Sequence, residues 1–111
     1  MSKRPLLWVG TSRQDLRGFP RPARRLAGHQ LDRLQKGLDP VDFKPMPSVE
    51  SGVHEIRVRA QGAFRVFDVA KFKEGIYVLH AFEKKSQRTS RRDLELGAAR
   101  YQKLVRQRQS R

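Results

Sequence analysis

With 111 residues, 25 Lys and Arg against 11 Asp and Glu, and a formal charge of +14, the chain has room for one domain around one modest core. No apolar run approaches the roughly 20 residues of a membrane span, and the absence of cysteine excludes disulfides, thiolate metal sites and cysteine nucleophiles. So large a cationic surplus repels itself and favours a polyanion: nucleic acid, an anionic membrane or an acidic protein.

Leu6-Leu7-Trp8-Val9, stopped by Gly10, is a short apolar run that suits a strand. The residues before it are charged at Lys3 and Arg4 and broken at Pro5, and Leu6 to Val9 is too short for the core of a signal peptide. Ser12-Arg13-Gln14-Asp15 has the form of a capping box with Ser12 as the cap, and Leu16 and Phe19 give a short helix an apolar side. Pro22 then suits the first turn of a second helix over Arg21 to Lys36. Ala23, Leu26, Ala27, Gln30, Leu31 and Leu34 fall on its inner face, and Arg24, Arg25, Arg33 and Lys36 on its solvated one. Residues 38–52 carry Pro40, Pro45, Pro47 and Gly52 with little periodicity and read as one long loop.

From Val53 the pattern becomes β. Val53 to Ala60 alternates, with Ile56 and Val58 on one face and Glu55, Arg57 and Arg59 on the other. Ala63 to Phe72 and Ile76 to Phe82 follow, apolar on both faces as central strands are. A three-residue turn at Ala60 to Gly62 sets Arg59 against Ala63, Val58 against Phe64 and Arg57 against Arg65. A two-residue turn would instead set Arg65 against Val58 and mix charge into the core. The chosen register opposes two arginines, a pairing that destabilises a sheet unless an anion sits between them. Lys84 to Arg92 then supplies Lys84, Lys85, Arg88, Arg91 and Arg92 without an acid. Ser90 and Asp93 open a last helix carrying Leu94, Gly97, Ala98, Tyr101, Leu104 and Val105 on one side, with its tail from Arg106 expected to fray.

Guanidinium forks bind phosphate bidentately and lysine adds a point charge, so the basic sheet face suits an RNA backbone. Cleavage by the ribose 2′-hydroxyl needs charge stabilisation and two proton movements, with no metal required. His80, Tyr77, Tyr101, Glu55 and His54 are the side chains near enough in sequence to move protons. His29, His54 and His80 lie too far apart for a metal site, and no phosphate loop or dinucleotide fingerprint is present, so no cofactor is expected.

The element order, with Ser12 to Leu16, Gly52 to Arg57, Phe64-Arg65-Val66, and above all Tyr77 to Gln87 (YVLHAFEKKSQ) followed by Thr89 and Asp93-Leu94, resembles the RelE/HigB-type toxins of type II toxin–antitoxin systems. The likeness is closest to their phage-derived branch and spans nearly the whole chain. It implies one α+β RelE-like domain over residues 1–111: a mostly antiparallel four-stranded sheet, an N-terminal helical hairpin and a C-terminal helix. It also implies a cytoplasmic mRNA endonuclease acting in the ribosomal A site, gripping ribosomal RNA, and blocked by a helix-turn-helix antitoxin. By position, Arg57, Arg59, Arg65 and Lys84 or Lys85 match the family's basic residues; catalysis is expected from Arg57, Arg65, Lys84 and Lys85, and RNA contact from Arg59, His54, His80, Arg88 and Tyr101. Where the family often has a further basic residue on the second strand, this chain has Glu55. A ParE-like inhibitor of a protein target such as gyrase is the alternative from another functional class. No membrane role is expected, because the helices lack a wide aromatic-rich apolar face.

Overall fold

The computed structural model describes residues 3–110. In chain order they form β1 (Leu6–Trp8), α1 (Ser12–Arg17), α2 (Arg21–Gln35), β2 (Phe43–Pro45), β3 (Val53–Arg59), β4 (Ala63–Val69), β5 (Ile76–Glu83) and α3 (Arg91–Gln109). The strands make one mixed sheet in the order β1-β5-β4-β3-β2, in which β1 is parallel to β5 and every other pairing is antiparallel.

The sheet therefore has five strands where four were expected. The addition, β2, lies inside the stretch read as a loop and pairs with His54 to Ile56 of β3. Three residues ending in proline are too few to show alternation, and Pro45 can sit there only because an edge strand has a side that needs no donor. The central hairpin takes the expected register: Arg59 opposes Ala63, Val58 opposes Phe64, and Arg57 opposes Arg65. Its turn needs a backbone with φ of +130° at Gly62, which glycine supplies without strain. β4 stops at Val69 rather than Phe72. Beyond it, the carbonyls of Ala70 and Phe72 accept hydrogen bonds from the Arg4 guanidinium, both at 2.7 Å, instead of from a neighbouring strand.

Helices cover both faces of the sheet. On one side α1 and α2 pack Leu16, Phe19, Ala23, Ala27, Leu31 and Leu34 onto Ile56, Val58, Phe64, Val66, Ile76 and Val78. Leu26, expected inside, is exposed, because the seam runs through Ala23, Ala27, Gln30, Leu31 and Leu34 and leaves it at the border. Ser12 does not cap α1: Thr11 is the cap residue and donates to Asp15 at 2.7 Å. Ser12 is buried instead, donating to the Val78 carbonyl at 2.8 Å and so fastening α1 to β5.

On the other side α3 presses Tyr101 and Leu104 onto Val53, Phe67, Val69 and Leu79. A Cβ at Gly97 would lie 2.8 Å from the Phe67 ring, so only glycine lets the helix come this close. Ser90 caps α3 as its sequence predicts, accepting from the Asp93 amide at 3.1 Å. The tail, expected to fray from Arg106, is helical here. The helix continues to Gln109, held where Arg108 donates to Glu74 at 2.6 Å and lies 3.8 Å above the Phe72 ring. Hydrogen bonds from Arg108 and Tyr77 lower the Glu74 carboxyl to about 2. The last residue, Arg111, lies outside the described residues. Among the described residues, no helix is long and apolar enough to cross a membrane.

Candidate nucleic-acid interface

α3 leaves the far end of the β3–β4 hairpin open. Strand alternation puts Glu55, Arg57 and Arg59 of β3 on that face, and the register brings Arg65 of β4 directly opposite Arg57. Such a pair repels. Glu55 offsets the repulsion from beneath: fully buried, it sets its Oε1 at 3.5 Å from Arg65 Nε and 3.9 Å from Arg57 Nε. Lys44 Nζ reaches the same oxygen at 4.0 Å. The other oxygen, Oε2, accepts from the Thr89 hydroxyl at 2.9 Å, which ties the segment before α3 to the sheet.

Arg65 is itself buried, and its Nη1 donates to its neighbour's carbonyl at Phe64. Burial lowers its pKa from the usual guanidinium value; Glu55 opposes that shift, while Arg57 and Arg59 add to it. Its Nε and Glu55 Oε1 face each other without a formed hydrogen bond, an ionic contact held by charge alone. Lys84, at the end of β5, is lowered first by burial and next by the Arg65 charge. With Arg59 these groups line a cleft of about 350 Å3 whose wall carries five cations, Lys44, Arg57, Arg59, Arg65 and Lys84, and no acid.

Of the residues singled out in the sequence, Arg57, Arg59, Arg65 and Lys84 converge there. Lys85 and Arg88 do not. They line a second, larger cleft of about 950 Å3 between α1 and α3. His80 also faces that cleft, buried, with Nε2 2.7 Å from Asp93 Oδ1 and its ring stacked on Phe82 at 4.6 Å. Burial lowers its pKa, against the Asp93 partner, which raises it. His54 sits on the opposite face of β3, edge-on to Phe43 at 5.4 Å, because even and odd residues of a strand point apart. Tyr101 is buried under α3, beside the Lys71 ammonium at 5.3 Å. Neither ring reaches the arginines.

Sequence reasoning missed Lys44, since nothing in a proline-rich stretch marks a strand; only the Lys44–Glu55 pairing of β2 with β3 puts it on the basic face. Glu55 was noticed as the acid on a basic strand, but its burial comes from the tertiary structure. Among the described residues, no group of three or more His, Asp or Glu side chains could hold a metal ion.

A family model described as phage-derived protein Gp49-like (DUF891) matches residues 14–102. The chain belongs to this family. It is associated with toxin–antitoxin systems. A search of curated proteins finds no match. In this Gp49-like chain the matched span contains the whole cationic cleft, from Lys44 through Lys84, and omits β1 and the last turns of α3.

Proposed function

We propose that this Gp49-like protein is the toxin of a type II toxin–antitoxin pair, a RelE/HigB-type endonuclease that cuts messenger RNA on the ribosome in the cytoplasm. What carries the reading is the cleft wall of five cations with no acid, built around an opposed arginine pair. Glu55 offsets the repulsion of Arg57 and Arg65 from beneath, and a phosphodiester supplies an anion to their open side.

The reaction divides among these groups as follows. The ribose 2′-hydroxyl gives up its proton to solvent water as its oxygen bonds to phosphorus, the bond to the 5′ oxygen breaks, and a 2′,3′-cyclic phosphate remains. Arg57 and Arg65 stabilise the charge that grows on the phosphoryl oxygens, the largest single contribution of such sites. Lys84, more acidic than a free lysine because of burial and Arg65, donates a proton to the departing 5′ oxygen. Glu55 does not touch RNA. It lies under the arginines and keeps the array together before substrate arrives. The partners of this reading are mRNA, ribosomal RNA phosphates and a cognate helix-turn-helix antitoxin. A non-enzymatic inhibitor of a protein such as gyrase has no use for so concentrated a phosphate site.

The test is induced expression followed by mapping of transcript 5′ ends. Cuts inside codons are expected, with growth arrest relieved by the neighbouring open reading frame. Arg65→Ala should reduce cleavage by about 10²–10³-fold, as loss of one charge-stabilising donor does. Arg57→Ala, at a more exposed position, repeats the test if Arg65→Ala folds poorly. Full toxicity in both folded variants would overturn the assignment.

A further inference from the structure

We infer that the larger cleft between α1 and α3 is a second nucleotide subsite, which holds the single-stranded RNA that runs on from the scissile linkage in the arginine cleft. The inference rests on the endonuclease reading of the smaller cleft. Three observations carry it. First, the two clefts are neighbours with a shared wall: Lys84 and Ser86 line both. A strand leaving the arginines over Lys84 therefore passes directly into the larger cleft.

Second, the cations beyond Lys84 are unspent. Lys85, Arg88 and Arg92 line the larger cleft beside the acids Asp15, Glu83 and Asp93; none of the three cations makes an ion pair among the described residues, whereas Asp15 is engaged by Thr11 and Asp93 by His80 and Ser90. Arg100, deeper in, is already committed to the Leu79 carbonyl at 2.9 Å and the Thr11 hydroxyl at 2.8 Å, so it shapes the cleft instead of serving the ligand. Three free cations beside Lys84 suit a chain of phosphates better than an isolated anion.

Third, the interior suits a base. Pro20 and Leu96 offer apolar surface and Gln14 an exposed polar group, while the Phe19 and Phe64 rings that also line the cleft are buried in the core. His80, buried with no partner on Nδ1, adds an unsatisfied polar atom at the same wall. Size agrees as well. The arginine cleft, about 350 Å3, is near the lower end of the ~300–1,000 Å3 range of small-ligand sites and suits one linkage, whereas about 950 Å3 gives room for the flanking nucleotide and its base.

The test uses the intact protein and two fluorescent RNA probes in which every 2′-hydroxyl is methylated, so that neither can be cut: a dinucleotide and a pentanucleotide. Wild type should bind the longer probe more tightly. Lys85→Glu combined with Arg92→Glu changes two exposed side chains outside the arginine cleft. It should cost the pentanucleotide about ten-fold or more in affinity, and flatten the slope of log K against log salt by about 1.4, at about 0.7 per lost phosphate contact. Dinucleotide binding should stay as in wild type. Unchanged pentanucleotide affinity and salt slope in the folded double variant overturn the subsite, and loss of toxicity in that variant without loss of RNA binding assigns the cleft to a protein partner and overturns it too. Arg65→Ala separates the two readings. If it binds the dinucleotide as wild type does, the arginine cleft fails as the scissile site whatever the larger cleft shows.

Discussion

Two carboxylates in this sheet are buried equally and treated oppositely. Glu55, on the open face of β3, is ringed by Lys44, Arg57 and Arg65 within 4.0 Å and accepts a hydrogen bond from Thr89. Asp68 belongs to the closed side, where alternation along β4 places it with Phe64 and Val66, and neither of its oxygens has a hydrogen-bond partner. Burial alone raises the Asp68 carboxyl from 3.8 to about 7. The contrast separates two kinds of buried charge. One holds a functional array together, and the other is a cost the closed core carries.

Neutralising each acid with its amide isostere should therefore move stability in opposite directions. Glu55→Gln removes the charge that offsets two opposed arginines, one of them buried, and is expected to cost about 3–5 kcal/mol, the usual range for stripping one partner from a buried ion pair. Denaturant melts at neutral pH check it, and a variant as stable as wild type would mean the arginines tolerate each other unaided.

Asp68→Asn has the opposite sign and depends on pH. A carboxyl whose folded pKa is raised favours the fold in its protonated form. That contribution is complete below about 3.8 and is lost as pH rises to about 7, after which it stays lost. Wild type should lose at most about 4 kcal/mol across that window, at about 1.36 kcal/mol per pKa unit. Asp68→Asn should lack the slope and so gain on wild type at pH 8. Parallel pH–stability curves for the two proteins would break the comparison.

The smallest effect sharpens the open side. Thr89→Val keeps the shape but leaves Glu55 Oε2 buried without its donor, for a cost of about 1–3 kcal/mol. Thr89→Ser should restore most of it. Thermal melts of the pair distinguish a lost hydrogen bond from lost packing, since only the serine variant keeps a hydroxyl.

Much of this architecture was legible in the residues. The hairpin register followed from patterning, because a two-residue turn would have set Arg65 against Val58, and the α3 cap followed from Ser90 and Asp93. Local signals failed where distant groups decided the outcome. Ser12 has the form of a cap, yet it spends its hydroxyl on Val78, a residue 66 positions away. The tail of α3 looked free because its partner, Glu74, lies 34 residues earlier. His54 and Tyr101 matched roles by type, and their positions on the far strand face and under α3 keep both from the arginines.

By itself, then, the amino-acid order determined the charge, the strand alternation and the convergence of Arg57, Arg59 and Arg65, since these depend on periodicity and one turn length. Folding in three dimensions decided which cations complete the cleft and which acid lies beneath them. Lys44 arrives on an edge strand of three residues, Lys84 from the end of β5, and Thr89 from the segment before α3. Such groups meet only through pairings between distant parts of the chain, and Coulomb energy depends on their separation in space and on burial, neither of which is written in local sequence.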